Sequence, residues 1–436
     1  MSSPENGEAA QRDAHDPYAA LRLRDVRFYL MGNFLAAFGL QLQTAAVFWQ
    51  IYERTGSKLQ IALVGLVQVI PVIALTLPAG YLADRLNRKH LVILSLAVIG
   101  CCSLGLVAVS LLHWPIEWMY VFLFGTGVAR SLQQPAKSAL FPHLVPREHF
   151  TNAVTWGTSA YQFAAITGPA VCGGLLWWFA EPAIAYLGSA TAAFAFTFLL
   201  GRVRYQHTPS EAGDSAFEDV IAGAKFVWSA KVVLGATALD MFAVLLGGAE
   251  ALFSVYASDI LFAGPIGYGA MLAAQPVGAL CMSFVQSHRR PFDRAGVALL
   301  WSVVGFGLTT IGFGLSTSLP FSLVMLVLMG ACDNVSVVLR HTLVQMLTPD
   351  AMRGRVSAIN SMFIAISNEL GGFESGAVAH WTSPIFAVVS GGIGTILVAA
   401  LAAIGLPELR RYQRSASFQA KREEAVEEEE VVGGRV

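Results

Sequence analysis

Six ionisable side chains inside the long apolar stretches of this 436-residue chain are candidates for chemistry. They are Arg130, Asp240, Glu250, Asp333, Glu369 and Glu374. A charge at the centre of a membrane helix costs about 2.5–3.5 kcal/mol on insertion scales unless it is paired or neutralised. A carboxyl group in a low-dielectric environment can exchange a proton near physiological pH. The five acids are therefore candidates for binding and releasing protons, although each could instead form a permanent structural pair.

Glu369 and Glu374 lie in one apolar stretch but on different faces of the predicted helix. Asn360, Ser367 and Glu374 recur every seven residues and share a polar face. Glu369 instead lies on an apolar stripe, together with residues such as Met362. A charge on that stripe is expected to be protonated or paired with a neighbouring helix. Glu369 is therefore interpreted either as a coupling acid or as a tie between helices.

A polar stripe also crosses the first apolar stretch. Asn33, Ala37, Gln41 and Thr44 follow one another at helical spacing. These side chains could form hydrogen bonds between helices or line a cavity that touches a ligand. On the second interpretation, the candidate cavity residues are Asn33, Gln41, Thr44, Arg130 and Asn360.

A charged turn lies between two apolar stretches, at about 59–83 and 91–112. Its notable residues are Gly80, Asp84, Arg85, Asn87, Arg88 and Lys89. One acid and three strong bases thus fall within six residues. A charged hairpin at a membrane face could form a gate, or it could only anchor the chain and set its orientation.

The composition is that of a membrane protein. Hydrophobic residues make up 55% of the chain and charged residues 13%, whereas a soluble domain usually has about 25% charged residues. The net charge of −1 gives no indication of nucleic-acid binding. The five cysteines lie inside apolar stretches, and no Cys or His spacing is typical of a metal site. We expect no cofactor and no metal, and no secretory signal peptide in residues 1–25.

Twelve apolar stretches are each long enough to cross a bilayer as a helix. They are about 27–51, 59–83, 91–112, 117–137, 152–179, 182–200, 231–258, 267–287, 296–315, 320–343, 355–379 and 384–405. Lys and Arg concentrate on one side of this arrangement, and only the first of the opposite loops contains any, Arg54 and Lys58. The positive-inside rule then predicts that both termini are cytoplasmic.

The stretches predict an all-α membrane protein with two six-helix bundles. The predicted parts are a tail at 1–26, bundles at 27–200 and 231–406, a linker at 201–230 and an acidic disordered tail at 407–436. Residues 217–228 of the linker have the pattern of an interfacial helix, or of a simple connector. A shift of 203 residues pairs several Gly and Pro residues of the two bundles. The pairs include Gly127 with Gly330, Pro146 with Pro349, Gly168 with Gly371 and Gly173 with Gly376, and the same shift places Arg130 opposite Asp333 and Lys137 opposite Arg340.

These motifs resemble those of the major facilitator superfamily over about residues 25–406. The charged turn is similar to the superfamily signature, with Asn87 where Gly is usual, so we predict a left-handed backbone at Asn87. Gly168, Pro169, Gly173 and Gly174 resemble the exporter-associated motif of helix 5, although Ala164 replaces its usual first Gly. The stretches at 49–57 and 353–360 resemble the enterobactin-exporter-like branch.

The resemblance implies several roles. Helices 1, 4, 7 and 10 would line the cavity, where Arg130 and Asp333 could sense each other or the substrate, or be satisfied within their own bundles. Asp84 could bind the positive N-terminus of helix 11 as a latch, or only fix the turn. The Gly-Pro motif could give a tight, bendable contact between the bundles, or ordinary small-residue packing.

The implied activity is export of a siderophore-like or drug-like small molecule by alternating access, coupled to protons as an antiporter in the inner membrane. No phosphate-binding loop suggests direct use of ATP, and no nucleophile–base pair suggests an enzyme. We expect a monomer whose partners are the substrate, protons and the lipid bilayer. An importer, a lysophospholipid transporter and a sensor that binds ligand without moving it stay open as alternatives.

Overall fold

The computed structural model describes residues 16–205, 216–289, 292–349 and 352–412, and within these ranges the chain is helical, without β-strands. Twelve long helices follow one another. They are α1 (Arg24–Thr55), α2 (Lys58–Arg85), α3 (Arg88–Leu111), α4 (Glu117–Leu144), α5 (Phe150–Phe179), α6 (Ala183–Arg202), α7 (Lys231–Gly247), α8 (Gly264–His288), α9 (Ala295–Gly314), α10 (Leu319–Leu347), α11 (Arg353–Trp381) and α12 (Pro384–Gly405). The predicted all-α class with twelve segments is confirmed.

Nine of these helices, in the described part of the chain, are long and apolar enough to cross a membrane by length and composition alone. The other three are α4, α5 and α11. Two of them carry charges inside the span, Arg130 and Lys137 in α4 and Glu369 and Glu374 in α11. Polar residues therefore lower the hydropathy of helices that still have full membrane-spanning length.

Helix α7 does not continue as one regular helix to the loop that follows it. After Gly247 come a 3₁₀ turn at Glu250–Leu252, a short helical turn at Phe253–Val255 and a π-helical turn at Tyr256–Ile260. Gly248, at φ −72° and ψ 74°, has left the helical region. Irregular backbone at membrane depth is tolerated where it is buried in protein or lines a cavity, so this break marks a candidate site.

Two bundles are formed by α1–α6 and α7–α12, and they contact each other mainly through α2 on α11 and α5 on α8. Smaller elements flank them. They are short helices at Ala19–Arg22 and Pro407–Arg411, a 3₁₀ turn at Arg147–His149, and a linker helix at Ala216–Ser229 that packs on α11. Much of the predicted tails (residues 1–15 and 413–436) and the centre of the linker (206–215) lie outside the described residues.

The 203-residue repeat extends to the helix boundaries. Shifting α4 by 203 gives 320–347, and the observed α10 is Leu319–Leu347. Shifting α5 gives 353–382, and the observed α11 is Arg353–Trp381. The two bundles therefore follow one architectural plan, which is typical of secondary transporters with a central site.

The molecule has two distinct ends, which we name for their loops. The linker end carries the charged turn at 86–87 and the linker, and the far end carries the loops that follow α1, α3, α5, α7, α9 and α11. At the far end one apolar core includes buried residues of both bundles, among them Tyr52, Tyr186, Phe253 and Tyr268. At the linker end each bundle has its own separate cores. The bundles are thus joined at the far end and separate at the linker end.

Candidate functional site

The site is organised around the break in α7. Gly371 and Gly391 bring the backbones of α11 and α12 against residues 244–247 of α7, because neither glycine has a side chain to hold them apart. Glu250 begins the 3₁₀ turn just beyond the break, and its side chain is exposed. The two glycines of the break, Gly247 and Gly248, are compatible with the irregular backbone that places this accessible carboxylate beside α11.

Arg130 of α4 makes the central contact of the site. Its Nη1 atom lies 3.1 Å from the Gln68 Oε1 atom on α2, which accepts a hydrogen bond. The same nitrogen lies 3.6 Å from Glu369 Oε1 on α11. The arginine side chain is 37% exposed and that of Glu369 is 21% exposed. An ion pair that reaches solvent-accessible space therefore connects the first bundle to the second.

Two further side chains belong to this group. Glu250 lies within electrostatic range of Glu369, and Tyr161 of α5 lies within the same range of both Glu250 and Arg130. We call Gln68, Arg130, Tyr161, Glu250 and Glu369 the central cluster. It contains two carboxyl groups and one guanidinium, so the binding of a single proton would bring its net charge to zero.

The close approach of α2 to α11 fixes the position of Glu369. A Cβ atom on Gly65 would collide with the Glu369 backbone oxygen, so only a glycine allows this crossing. One turn further along α2 lies Gln68, which is buried and faces Arg130. The small residue and the polar residue together place the cluster where the two bundles meet.

Asp240, the other candidate acid of α7, occupies a different position. It pairs with Arg340 of α10, and the two side chains are only 7% and 2% exposed. Both residues belong to the second bundle, on the side of the α7 break that faces the linker end. The structure therefore separates Asp240 from the central cluster and gives it a buried partner.

The remaining acids also lie apart. Asp333 is half-buried and, among the described residues, accepts no hydrogen bond and forms no ion pair, including with Arg130. Glu374 is half-buried and accepts a hydrogen bond of 3.3 Å from the Ser375 hydroxyl. Of the five predicted acids, Glu369 thus pairs with Arg130, and Glu250 lies within electrostatic range of Glu369.

The polar stripe of α1 lies partly in accessible space, since Asn33, Gln41 and Thr44 are half-buried. The Asn33 side-chain oxygen is buried, and so is that of Asn360 on α11; neither has a hydrogen-bond partner in the described part of the chain. A buried amide without a partner is unusual and points to a ligand or water that would satisfy it.

The charged turn has a different backbone from the one predicted. Asn87 has φ −62° and ψ 108°, so the prediction of a left-handed residue there is wrong. The reason is that Asn87 caps α3: its side-chain oxygen accepts hydrogen bonds from the backbone N–H groups of Lys89 and His90. An Asn is favoured at a helix N-cap for this purpose, and a cap needs an extended backbone.

The bases of the turn have specific contacts. The Lys89 ammonium donates to the backbone oxygens of Gly201 and Val203 at the end of α6, at 3.2 and 2.8 Å. The Arg85 guanidinium lies over the Tyr81 ring, and Arg88 contacts His143. A Cβ atom on Gly80 would meet open space. The side chain of Asp84 lies outside what the structure describes.

The helix-5 motif contacts both bundles. A Cβ atom on Gly168 would lie 2.7 Å from the Gln41 Cβ atom on α1. A Cβ atom on Gly173 would lie 2.6 Å from the Pro265 oxygen and 3.0 Å from the Gly269 Cα atom on α8, in the other bundle. Pro169 approaches the same surface through its backbone oxygen, and Gly174 faces open space.

Contacts at the far end were not predicted from the sequence. The Tyr52 hydroxyl of α1 donates a hydrogen bond to Asp259 in the π-helical turn after α7. The buried Tyr268 hydroxyl of α8 donates to the Ala45 oxygen of α1 at 2.9 Å, and its ring packs against Trp49. These contacts hold the two bundles together where they share one core. Gln68 was also missed, although a Gln in the middle of an apolar stretch is a detectable signal.

Comparisons with known proteins agree with this architecture. The sequence model of the family described as transmembrane secretion effector matches residues 15–432. The enterobactin exporter EntS of Escherichia coli O1:K1 / APEC is 26% identical over 394 residues, which cover 89% of this chain and 93% of that protein. The enterobactin exporter EntS of Shigella boydii serotype 18 gives the same identity and coverage.

Solved structures of distant proteins share the arrangement of helices. A bacterial homolog of the human lysosomal transporter Spinster, in an inward-facing and occupied conformation, has a TM-score of 0.67 at 13% identity, covering 91% of this chain and 99% of that one. A POT family transporter in complex with 5-aminolevulinic acid has a TM-score of 0.68 at 12% identity, covering 89% and 97%. At these identities the likeness concerns the fold alone.

Proposed function

Because this chain belongs to the transmembrane secretion effector family of major facilitator transporters, we propose that it exports a medium-sized organic molecule by alternating access. The observation that carries the proposal is the Arg130–Glu369 ion pair, which joins the two bundles at the break in α7. On this proposal the protein lies in the inner membrane as a monomer with both termini in the cytoplasm. The linker end is then the cytoplasmic end.

The arrangement of cores supports alternating access. The bundles share a core at the far end and have separate cores at the linker end, which supports a central cavity that opens at the linker end. Opening the far end requires the contacts of α2 with α11 and of α5 with α8 to separate. The central cluster lies across the first of these contacts, where it would experience every change of state.

The charge balance of the central cluster supports coupling to protons. Arg130 is close to Glu369, and Glu250 is the second carboxyl group in range. A proton on Glu369 would weaken its attraction for Arg130, and the loss of that proton would restore the ion pair between the bundles. Proton binding would thereby favour one state of the transporter over the other, as an antiporter requires.

The direction and the substrate class rest on the relatives. Two similar proteins are named as enterobactin exporters, and the helix-5 motif resembles that of exporters. We therefore propose export, with a siderophore-like or drug-like substrate. Enterobactin itself is the first compound to test.

The decisive experiment uses purified protein in proteoliposomes with an imposed pH gradient. Lumenal pH is recorded while enterobactin or one of a panel of lipophilic cations is supplied. We expect substrate-dependent proton movement in the wild type, and its loss in Glu369→Gln with at least about tenfold slower substrate flux, which corresponds to about 1.4 kcal/mol in the barrier.

Glu117→Gln is the matched control, because Glu117 is exposed in the first turn of α4 and lies at the far end. It should transport like the wild type. Substrate flux without proton movement would replace the antiporter with a uniporter. Substrate binding without flux would identify a sensor, and uptake driven by the gradient would identify an importer.

A further inference from the structure

Lys137 is a cation inside α4 that the proposed coupling does not use. It follows Arg130 by seven residues, so the two lie on the same face of the helix, about two turns apart. The side chain is half-buried, and within the described ranges it donates no hydrogen bond and forms no ion pair. A cation in a membrane-spanning helix without a partner is costly, and such residues commonly mark a binding site.

In the second bundle, the cation at the equivalent position has a carboxylate partner. The 203-residue shift takes Lys137 to Arg340 on α10, and Arg340 pairs with Asp240 on α7. That pair is buried between two helices that pack directly on each other. In the second bundle, therefore, the cation has an internal carboxylate.

In the first bundle that carboxylate is replaced by a methyl group. The position that corresponds to Asp240 is Ala37 on α1, which is half-buried. Helices α7 and α10 pack directly on each other, whereas α1 and α4, both described in full, have no comparable packing. The first bundle thus keeps the cation, lacks the anion and holds the two helices further apart, and we call the space between Lys137 and Ala37 the gap.

The helix that faces this gap carries hydrogen-bonding groups. Asn33 lies one turn before Ala37 on α1 and Gln41 lies one turn after it. The Asn33 side-chain oxygen is buried without a partner, and within the described ranges the Asn33 amide nitrogen donates no hydrogen bond. Each of these amides has an N–H group that can donate to an anionic oxygen.

We propose that the gap between Lys137 and Ala37 binds an acidic group of the transported molecule, so that the substrate supplies the carboxylate that this bundle lacks. The inference rests on the proposed transport function and narrows it to organic anions. The charged group would take the place that Asp240 occupies beside Arg340. The rest of the molecule would extend along the cavity towards the central cluster.

The first test needs no ligand. It asks whether side chains at positions 37 and 137 lie close enough to form an ion pair. Ala37→Asp would recreate the Asp240–Arg340 arrangement beside Lys137. In the otherwise wild-type protein, this substitution should raise the thermal unfolding temperature measured in detergent. In a Lys137→Gln background the same substitution should lower it, because the new carboxylate would have no partner.

The second test uses a pair of probes of nearly the same size and shape, anionic 1-naphthoate and its neutral amide, 1-naphthamide. Equilibrium binding to the purified protein is measured without a pH gradient, so recognition is scored separately from export and proton coupling. The wild type should bind 1-naphthoate more tightly than 1-naphthamide. Lys137→Gln and Ala37→Asp should each remove that preference, weakening 1-naphthoate binding at least about tenfold. Lys225→Gln, a loss of an exposed lysine in the linker helix, should retain it.

Two results would overturn the proposal. One is an equal change in unfolding temperature on Ala37→Asp with and without Lys137, which would mean that the two positions do not meet. The other is equal binding of the two probes to the wild type, including no binding of either. A preference for 1-naphthoate that persists in Lys137→Gln would also place the anion elsewhere.

Discussion

Gly173 of α5 and Gly269 of α8 meet backbone to backbone, although they belong to different bundles. A Cβ atom on Gly173 would lie 3.0 Å from the Gly269 Cα atom, and one on Gly269 would lie 2.7 Å from the Pro169 oxygen. The two helices cross near the far end of the molecule, next to the shared apolar core. The closed far end therefore depends on the absence of side chains at this crossing.

Gly173→Ala is predicted to loosen the far end, because the added methyl group meets backbone atoms that cannot move aside. Cys172 is buried beside Gly173 and provides the reporter. With the other four cysteines replaced by serine, we expect an impermeant maleimide added from the far side to label Cys172 several-fold faster than in the parent. Gly174→Ala, whose Cβ atom would meet open space, is the control. An equal increase in both variants would contradict the interpretation.

Tyr52→Phe should have a similar effect for a different reason. It removes the hydroxyl that donates to Asp259 across the two bundles. A typical hydrogen bond contributes about 1 kcal/mol, so the population with an open far end should rise about fivefold. The same Cys172 labelling rate measures this change, and Asp259→Asn should reproduce part of it. A labelling rate equal to that of the parent would show that this contact does not hold the far end closed.

Asp240→Asn is predicted to destabilise the protein by about 3–5 kcal/mol, because Arg340 would remain buried without a compensating charge. Thermal unfolding in detergent measures the loss, and the double variant Asp240→Leu with Arg340→Met should recover much of it. Glu408→Gln is the control, since it removes an exposed pair with Lys231 and should change stability little. Normal stability together with lost proton movement would instead identify Asp240 as a coupling acid.

Asp84→Asn tests the proposed latch between the charged turn and the N-terminus of α11. The aspartate lies in the last turn of α2, and a helix N-terminus attracts negative charge. We expect normal insertion and slower transport in proteoliposomes. Asp293→Asn, an exposed acid close to the start of α9, should transport normally. Transport at the wild-type rate in Asp84→Asn would exclude the latch.

Much of the architecture could be predicted from the sequence, because a helix that crosses a membrane needs a minimum apolar length and because cations concentrate in the loops on one side. Apolar length alone did not predict the end of α4, because the apolar stretch is 117–137 and the helix extends to Leu144. Its last two turns contain Lys137, Ser138, Pro142 and His143, which resemble a loop by composition. The helix continues because Ala136 and Leu140, on the other face of these turns, are buried in the core of the first bundle at the linker end.

The pairing of charges was less predictable. Arg340 is one hundred positions from Asp240, and Arg130 is on a different bundle from Glu369, so no local pattern connects either pair. At Asn87 the error had another origin. A left-handed turn and a helix N-cap both favour Asn, and the sequence alone does not say which of the two requirements applies.

The repeated glycines have a consequence for the origin of the molecule. A Cβ atom on Gly173 would lie 2.6 Å from the Pro265 oxygen, and one on Gly376 would lie 2.8 Å from the Ala62 Cβ atom. Each of these two contacts is the image of the other under the same shift of 203 positions. An ancestor of half the present length would therefore have carried both contacting surfaces, the one with the glycine and the one opposite it, on a single polypeptide. Two copies of that ancestor would have closed on each other with two-fold symmetry, and gene duplication would then have joined partners that already fitted.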